Sequence, residues 1–501
     1  MKGSLLVAGT TSDAGKSVVT TGLCRLLARR GVRVAPFKAQ NMSNNSMVVA
    51  GPDGGGAEIG RAQWVQAVAA RAVPEVAMNP VLLKPGSDLS SHVVLRGRPD
   101  GVITSMEFAG SRTRLAEAAF AAYDDLASRF DVVVCEGAGS PTEINLRAHD
   151  YVNLGLARHA NIPVVVVGDI DRGGLYAALY GTLALLEPAD QRLVRGFLVN
   201  KFRGERALLE PANRELVRLT GRPVLGVLPW SPDAWLDSED GLDAAGRPAT
   251  TEDPLRVAVV RFPRISNFTD VDALGLEPDL EVRYAARPVD LVGADLVVLP
   301  GTRATLADLA WLRRRGLDAA VAQHAAAGGA VLGVCGGFQM LGRVVDDPAG
   351  VEGPVGASDP GLGLLDIRTV FAPEKVLRLR SGTAFGAPVN GYEIHHGVVS
   401  GTEQPFPGGA RRGAVFGTMW HGSLECDAFR TAFLTEVAAT VGRSRAGCGV
   451  SFAAAREARL DLLADLIEEH ADAEALLDLI SSRAPSDLPV LAPGSGPRAG
   501  S

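Results

Sequence analysis

A glycine-rich segment near the start of the chain, GTTSDAGKS at residues 9–17, has the residue types of a phosphate-binding loop. A short apolar run precedes it and a helical pattern follows, and backbone N–H groups in such a strand–loop–helix context can hold phosphate groups. Lys16 would reach the β- and γ-phosphates, and the Ser17 hydroxyl would bind Mg²⁺. The strict pattern has glycine five residues before Gly15, whereas here Thr10 stands at that position and the glycine lies one residue earlier.

Three polar residues follow short apolar runs that read as strands. Glu136 comes directly after DVVVC, and a carboxylate at the carboxyl end of a strand can bind Mg²⁺ directly or through water. Lys38 ends the second apolar run and could hold a substrate carboxylate or a phosphate. Asn200 follows GFLV and could contact the edge of a nucleotide base. For each of them a plain residue of the surface or of a loop remains the alternative.

A second chemical motif, GVCGG at residues 333–337, places a cysteine between small residues after an apolar strand. This is the arrangement of a nucleophile elbow, in which small neighbours permit the sharp turn that exposes the nucleophile. Neighbouring backbone N–H groups can form an oxyanion hole, and the N-terminus of the following helix favours the thiolate. Cys335 is therefore the predicted nucleophile, with a buried structural cysteine as the alternative.

A cysteine nucleophile needs a general base, and three of the eight histidines are candidates. His421 lies in GTMWHGS, while His395 and His396 lie in GYEIHHG. Partners of this kind are neighbours in space and not in sequence, so a distance of 86 residues from Cys335 is no obstacle. Spacing alone favours His421 only slightly over the other two.

The elements that would position these residues form two α/β patterns. In the first half, runs that are apolar on both faces alternate with helices, which predicts a parallel sheet covered by helices. The predicted strands there are 4–8, 32–37, 131–135, 163–168, 196–199 and 223–228. In the second half, strands are predicted at 255–260, 295–300 and 330–334, and helices at 306–315, 338–344 and 454–480.

The predicted domain order follows from these patterns and from the segments between them. Residues 1–235 form a doubly wound phosphate-loop domain, and 236–254, rich in Pro, Gly, Asp and Ser, form a linker. Residues 255–480 form the second domain with its C-terminal helices. The Pro/Gly/Ser-rich segment 484–501 is predicted to be disordered.

Composition and net charge limit the classes of partner and the cellular location that we expect for this chain. Apolar residues make up 47% and charged residues 21%, as in a soluble globular enzyme, and the net charge of −7 argues against nucleic acid or an anionic membrane as the main partner. No run approaches the roughly 18 apolar residues that a membrane helix needs. Five scattered cysteines favour a reduced chain over a disulfide framework, so the expected location is the cytoplasm.

Several segments together resemble the cobyric acid synthase family of cobalamin biosynthesis, over about residues 4–470. The loop with the shifted glycine also resembles that of dethiobiotin synthetase and its relatives. The segments are PFKAQNMSNNS (36–46), EIGRAQ (58–63), EGAGSPTEINL (136–146), GDIDRGG (168–174), GVCGGFQMLG (333–342) and GYEIHHG (391–397).

The resemblance implies amidation of the b, d, e and g carboxylates of adenosylcobyrinic acid a,c-diamide, a corrinoid, with ATP, Mg²⁺ and glutamine. It implies a dethiobiotin synthetase-like first domain and a class I glutamine amidotransferase-like second domain. The implied nucleotide site comprises Thr10, Asp13, Gly15, Lys16, Ser17, Lys38 and Asn200, with Ser17 and Glu136 as metal ligands. No nucleic acid or membrane is expected as a partner, and a homo-oligomer remains open.

In the amidotransferase half, the resemblance implies that Cys335 forms a γ-glutamyl thioester and that His421 is its base. Amidotransferases of this class carry a glutamate two residues after the histidine, but this chain has Ser423 there. Family members of this type also lack that glutamate. The group that orients the histidine is therefore unassigned, with Glu393 and Glu425 as guesses.

Two other functions compete with this one. A nucleotide switch or partitioning-type ATPase with an inactive amidotransferase-like module would form ADP without forming an amide, but it would not need the intact cysteine elbow. Within the enzymes, the alternative is cobyrinic acid a,c-diamide synthase or another carboxylate amidase.

Overall fold

The computed structural model describes residues 1–87, 90–104, 108–234, 249–445, 447, 449–481 and 488–492. In the first half the strands are β1 (Gly3–Gly9), β2 (Val34–Phe37), β3 (Gln40–Met42), β4 (Ser46–Ala50), β5 (Gly56–Gly60), β6 (Val81–Ser87), β7 (Ser90–Leu95), β8 (Arg98–Thr104), β9 (Val132–Glu136), β10 (Val164–Asp169), β11 (Val194–Phe202) and β12 (Val224–Pro229). The helices are α1 (Lys16–Arg29), α2 (Arg61–Ala69), α3 (Phe108–Arg129), α4 (Leu154–Ala160), α5 (Leu175–Ala184), α6 (Pro188–Gln191) and α7 (Glu210–Thr220).

The second half contains the remaining elements. Its strands are β13 (Leu255–Val260), β14 (Leu280–Ala285), β15 (Leu296–Leu299), β16 (Ala330–Val334), β17 (Val344–Asp347), β18 (Ala357–Pro360), β19 (Ile367–Ala384), β20 (Ala387–Gly401), β21 (Gln404–Phe406), β22 (Gly409–Arg412) and β23 (Val415–Thr418). Its helices are α8 (Thr305–Arg314), α9 (Leu317–Ala326), α10 (Gly336–Met340), α11 (Asp427–Thr440), α12 (Phe452–His470) and α13 (Ala473–Ser481).

The chain forms two compact units. The first comprises Met1–Ser43, Ile59–Asp240 and Arg456–Ser501, and the second comprises Asn44–Glu58 and Gly241–Ala455. Both are α/β, as the sequence predicts.

A six-stranded parallel sheet, in the order β12-β11-β10-β1-β9-β2, forms the centre of the first unit. Its strands are almost wholly buried because helices cover both faces, which explains their continuous Val-rich runs. A smaller sheet, β3-β6-β7-β8, was not anticipated from the sequence. In the central sheet β1 lies between β10 and β9, so the carboxyl ends of β1, β9 and β2 are consecutive along one edge.

The second unit has a seven-stranded sheet in the order β14-β13-β15-β16-β23-β22-β21. The five strands β14, β13, β15, β16 and β23 run parallel to one another. Strand β22 is antiparallel to β23, and β21 is antiparallel to β22. A second sheet, β18-β17-β19-β20, contains the long β19–β20 hairpin, which the sequence analysis missed. The helix predicted over 338–344 is shorter than expected, because α10 ends at Met340 and Val344 begins β17.

The C-terminal helices differ from the prediction in number and in place. A break near Ala471 separates α12 from α13, and the Asp472 carboxylate accepts a hydrogen bond from the Ala475 N–H at the start of α13. From Arg456 onward the chain belongs to the first unit and not to the amidotransferase domain. There α12 packs on α1, where Arg25 forms ion pairs with Glu457 and Asp461 at 2.7 and 2.8 Å.

Two further predictions concern irregular segments. Residues 236–248, most of the predicted linker, lie outside the described residues. Of the tail predicted to be disordered, residues 488–492 are described and pack on the first unit, where the Leu491 N–H donates to Gln191 Oε1 at 2.7 Å. The rest of 484–501 also lies outside the described residues. Among the helices that the structure describes, none has the length and hydropathy to cross a bilayer.

Candidate active sites

The phosphate loop connects β1 to α1 at the carboxyl edge of the first sheet. The Lys16 ammonium donates hydrogen bonds to the carbonyl oxygens of Thr11 and Ser12, both at 2.9 Å, and of Gly139 at 3.2 Å. Gly15 has φ 99°, and an added Cβ would lie 1.9 Å from Asn200 Nδ2, so only glycine fits at this position. The loop is thus curled around the lysine, whose charge faces backbone dipoles.

Glu136 is the centre of a buried polar cluster beside this loop. Its Oε1 accepts hydrogen bonds from the Ser17 hydroxyl and the Lys38 ammonium, both at 2.9 Å, and its Oε2 accepts one from Gln66. Glu136 is 1% exposed, and burial alone would raise the pKa of its carboxyl, but Lys38, Gln66 and Lys16 outweigh burial and hold this pKa below its usual range. The carboxylate is therefore ionised, and neither it nor Lys38 is the solvated surface residue of the alternative interpretation.

A cavity of about 380 Å³ in the first unit opens onto this cluster. It is lined by the three groups that approach Glu136 or the loop (Lys16, Ser17 and Lys38) and by further polar residues that include Gln40, Asn41, Arg112 and Arg147. The cavity lining contains four Lys and Arg side chains and three carboxylates, and the Lys16 and Lys38 ammonium groups suit an anionic ligand. The Ser17 hydroxyl and the Glu136 carboxylate offer the oxygen ligands that Mg²⁺ prefers, so the residues fit that ion.

Three other predicted nucleotide-site residues lie around the loop. The Thr10 N–H donates to the Val167 carbonyl at 2.9 Å and joins the loop to β10. Asp13 forms an ion pair with Arg172. Asn200 Nδ2 donates to the Ala14 carbonyl at 3.0 Å, so its amide supports the loop, and its contact with a base stays a prediction.

The cysteine elbow occurs at the carboxyl end of β16. Cys335 directly precedes α10 and has φ 49° and ψ −108°, a backbone conformation that residues other than glycine rarely adopt. An added Cβ on Gly337 would lie 1.9 Å from the Leu299 carbonyl oxygen, which explains the glycine at that position. The Cys335 N–H donates to the Thr418 carbonyl at 2.7 Å, which fixes the elbow against β23.

Sheet order brings His421 to this cysteine, because β16 and β23 are parallel neighbours and His421 follows β23. The two side chains are close enough to interact electrostatically. His421 Nδ1 lies 2.6 Å from Asp270 Oδ2, and the second oxygen of this carboxylate accepts a hydrogen bond from the Gly422 N–H at 2.8 Å. Asp270 lies in a 3₁₀-helix, Phe268–Val271, in the connection that follows β13.

The electrostatics of this triad favour an imidazolium. Burial disfavours the charged form of His421, but the Asp270 carboxylate and the negative charge on Cys335 outweigh burial and raise the pKa of His421 well above its usual range. A protonated imidazole beside the sulfur stabilises the thiolate, which is the nucleophilic form of cysteine.

Asp270 is the residue that sequence reasoning missed. The guesses Glu393 and Glu425 do not take this position, because the His421 Nδ1 lies against Asp270, and the Glu393 carboxylate bonds instead to Arg380 and Trp420. Asp270 lies 151 residues before His421 in RISNFTDVD, which is not a recognised motif. The only available signal was its place after a predicted strand.

His395 and His396 are close by but are differently held. His395 Nδ1 lies 2.8 Å from the Gly397 carbonyl oxygen, and His396 Nδ1 lies 3.1 Å from that of Ala372. Burial is the main cause that lowers the pKa of each to about 4. Both are therefore neutral near pH 7, and within the described part of the chain neither imidazole forms an ion pair with a carboxylate as His421 does.

Comparison with known proteins identifies both halves. The CobQ/CobB/MinD/ParA nucleotide binding domain matches residues 5–243, and the CobB/CobQ-like glutamine amidotransferase domain matches residues 256–429. A solved structure described as "Crystal structure of glutamine amidotransferase" is 18% identical, covers 36% of this chain and 97% of that one, and has a TM-score of 0.29, which is too low to bear on function.

Similar proteins extend over both halves. The protein named Cobyric acid synthase from Mycolicibacterium gilvum (strain PYR-GCK) is 67% identical over 494 residues, which is 98% of this chain and 99% of that protein. The one from Mycobacterium bovis (strain BCG / Pasteur 1173P2) is 66% identical over 495 residues, with the same coverage. Since this similarity spans nearly the whole of each chain, the chain belongs to the cobyric acid synthase family.

Proposed function

We propose that this chain is a cytoplasmic enzyme that amidates the b, d, e and g carboxylates of adenosylcobyrinic acid a,c-diamide to give adenosylcobyric acid, using ATP and glutamine. The observation that carries the proposal is one chain with both a phosphate-loop pocket and a Cys–His–Asp centre. The name of the relatives agrees with this reaction. The domain plan that goes with it is an ATP-dependent unit and a glutaminase unit.

The first step activates the carboxylate. Direct attack by ammonia would have to expel oxide, whereas transfer of the ATP γ-phosphoryl group to the carboxylate gives an acyl phosphate and ADP, with phosphate as the later leaving group. Such transfer needs positioning and charge stabilisation more than covalent help from the protein. Lys16 and the loop N–H groups would bind the phosphates, and Lys38 would orient the substrate carboxylate.

Ser17 and Glu136 would hold Mg²⁺, which supplies charge neutralisation at the phosphates when bound. Because the Lys38 ammonium already bonds to the Glu136 carboxylate, the cation and Lys38 share one anionic partner. We expect Lys38 to turn from Glu136 toward the anionic substrate when that partner is shared.

The second step releases ammonia. The Cys335 thiolate attacks the side-chain amide carbon of glutamine, and His421 gives its proton to the departing nitrogen, which leaves as NH₃ with a γ-glutamyl thioester behind. Water, deprotonated by His421, then hydrolyses the thioester to glutamate and the thiolate. Asp270 holds the imidazole in place, as the aspartate of a serine-hydrolase triad does. The Gly336 N–H, which directly follows the nucleophile at the start of α10, would donate to the oxyanion.

The third step joins the two products. Neutral NH₃ attacks the acyl phosphate carbon, inorganic phosphate leaves, and the nitrogen loses a proton to give the amide. Ammonia has to arrive before it is protonated to ammonium, since only the neutral form has a lone pair to donate.

Mass spectrometry of the corrinoid tests this function. The purified chain is incubated with adenosylcobyrinic acid a,c-diamide, glutamine and Mg-ATP, and the number of acid-to-amide conversions is counted. Four conversions are expected. Two or fewer would favour the a,c-diamide synthase or another amidase, and ADP formed without any amide would favour a nucleotide switch. A reaction without ATP is the control.

A further inference from the structure

A hairpin that comes from the first part of the sequence belongs to the second unit. Strands β4 and β5 form a two-stranded sheet within Asn44–Glu58, and this segment is part of the compact unit that contains the cysteine centre. Its contacts with β19 are close, because an added Cβ on Gly56 would lie 2.2 Å from the Leu377 carbonyl oxygen. Glu58 is fully buried and forms an ion pair with Lys375 at 2.6 Å.

One backbone group of this hairpin bonds to a residue close to the catalytic centre. The Ser46 N–H donates to Asn267 Oδ1 at 3.1 Å, and Asn267 Nδ2 donates to the Tyr392 hydroxyl at 3.1 Å. Asn267 is 2% exposed and has φ 49° and ψ 40°, the left-handed region that Asn and Gly tolerate best. Its side chain therefore connects the hairpin to β20 through two hydrogen bonds.

Two residues that bond to Asn267, Asp270 and Tyr392, both contact His421. Asn267 is the residue before the 3₁₀-helix that carries Asp270, and its carbonyl accepts a hydrogen bond from the Asp270 N–H at 3.0 Å. The Tyr392 ring stacks on the His421 imidazole, with 5.4 Å between ring centres, and the two residues exchange backbone hydrogen bonds at 2.9 and 3.0 Å. The backbone carbonyl of Asn267 thus holds the turn that carries the Asp270 carboxylate, and its buried side-chain amide holds the Tyr392 ring.

We infer that Asn267 and the hairpin of residues 44–58 are positioning elements for the glutaminase: the Ser46 N–H holds Asn267, and Asn267 sets Asp270 and Tyr392 around the His421 imidazole. This inference rests on the proposed glutaminase function. Its consequence is that glutamine hydrolysis depends on a peptide that lies, in sequence, between Lys38 and Gln66, two of the three residues whose side chains bond to the Glu136 carboxylate.

The variant Asn267→Gly tests the amide without straining the backbone, because glycine accepts the left-handed conformation freely. We expect kcat for glutamine hydrolysis to fall about 10–100-fold, as for other residues that orient a catalytic group, with KM nearly unchanged. The rate at which iodoacetamide alkylates Cys335 is measured as a function of pH by mass spectrometry of the cysteine's peptide. In this variant, the change in rate that accompanies deprotonation of the His421 imidazolium should occur at lower pH than in wild type. Asn161→Gly is the matched control, since Asn161 has φ 51° and ψ 49° at the end of α4.

A second variant changes the hairpin itself. Gly56→Ala places a methyl group against the Leu377 carbonyl and displaces β5, so it should also lower kcat, while Pro52→Ala at the exposed tip of the hairpin should not. Synthesis from ATP and free ammonia, measured on each variant, reports whether the first unit is folded, and the circular dichroism spectrum reports whether the whole chain is.

The outcomes separate this inference from the proposed function. Wild-type kcat and an unchanged alkylation profile in Asn267→Gly, or a loss of kcat with an unchanged profile, would overturn the positioning role. If Cys335→Ala in the same assay still hydrolyses glutamine, the proposed glutaminase is wrong instead. Lower kcat with a shifted profile in Asn267→Gly, alongside normal Asn161→Gly and Pro52→Ala, supports the inference.

Discussion

The two candidate sites occupy the same place in two similar sheets but balance their charges differently. Each lies at the carboxyl edge of a set of parallel strands: the neighbours β1, β9 and β2 in the first unit, and β13, β16 and β23, with β15 between β13 and β16, in the second. In the first site the Lys38 ammonium neutralises the Glu136 carboxylate, and both line a cavity of about 380 Å³. In the second, the Asp270 carboxylate lies 2.6 Å from the His421 imidazole and raises its pKa, which favours the imidazolium form beside Cys335.

Because of this difference in charge balance, the two sites require different things of the ligands that bind to them. The proposed nucleophile Cys335, the proposed acid His421 and the proposed orienting carboxylate of Asp270 already interact with one another, so this proposed triad requires only glutamine. The charged groups of the phosphate-loop pocket bond to one another, and a nucleotide with its cation has to replace some of these contacts. Variants in the two sites should therefore damage different half-reactions.

The largest effect is expected for Cys335→Ala. Without the thiolate no thioester forms, so glutamine-dependent synthesis should fall by at least about 10⁴-fold, as when other covalent nucleophiles are removed. Free ammonia at high pH should still support amidation, because carboxylate activation depends on the loop at residues 9–17. The measurement is amide formation with each nitrogen donor. Equal loss with both donors in a folded variant would contradict the division of labour.

The next effect is that of His421→Asn. Loss of a general acid–base group costs about 10²–10⁴-fold in rate, and glutaminase turnover should fall within that range. Synthesis from ATP and ammonia should be largely intact. His324→Asn, the same substitution in α9, is the control. A normal rate of glutamine hydrolysis in His421→Asn would remove this residue from the mechanism.

Lys16→Ala should act on the other site. Its charge would no longer stabilise the transferring phosphoryl group, so synthesis with either glutamine or ammonia should fall roughly 10²–10³-fold. Glutamine hydrolysis should continue. The exposed Lys2→Ala is the matched control. Full amidation from ammonia by Lys16→Ala would show that residues 9–17 do not bind the phosphates.

The two sites also differ in how many of their residues could be predicted from the sequence. The loop, Glu136 and Lys38 each follow an apolar run, and the parallel order of those strands brings them together, so strand ends alone were informative. Cys335 was recognisable because its turn restricts the neighbouring positions to small residues. The central strands of both sheets were predictable for the same reason, since burial on both faces leaves continuous apolar runs.

What escaped prediction depended on pairing between distant segments. Asp270 has no local pattern, because a carboxylate in a connection resembles any surface acid until the sheet order is known. The apolar face of α12 has a helical period, but this period does not say which unit it packs against. The hairpin of residues 44–58 packs against β19, which is far away in sequence, and the β19–β20 hairpin is polar in part.

Asp270→Asn should have a smaller effect than the loss of His421, and it should change the pH dependence. An ordinary imidazole acting as a base gives an acid limb near pH 6–7. In this chain the Asp270 carboxylate raises the pKa of His421, so the imidazolium that protonates the departing nitrogen persists to alkaline pH. Removing the negative charge lowers this pKa, and the alkaline limb of the rate profile should move to lower pH.

The rate of Asp270→Asn should fall about 10²-fold, less than the roughly 10⁴-fold seen when a serine-hydrolase triad loses its aspartate, because a thiol ionises more readily than a hydroxyl. The pH profile of kcat for glutamine hydrolysis measures both effects. Asp290→Asn, in the 3₁₀-helix Pro288–Leu291 of the same unit, is the control. An alkaline limb that stays in place would mean that Asp270 does not set the charge of His421.

The smallest effects are expected for His395→Asn and His396→Asn, each less than about tenfold on glutamine hydrolysis, because their Nδ1 atoms bond to backbone carbonyls and not to a carboxylate.

Both should instead alter stability in acid. Burial lowers the pKa of each to about 4, below the 6.5 of an unfolded histidine, so the folded state rejects a proton that the unfolded state accepts. Their contribution to stability is present above pH 6.5 and is lost as the pH falls toward 4. Denaturant unfolding between these values should therefore show a flatter pH dependence in each variant than in wild type. If His396→Asn abolished glutamine hydrolysis while His421→Asn hydrolysed it normally, the base would lie in GYEIHHG, and the contrast between a carboxylate-held and a carbonyl-held histidine would lose its meaning.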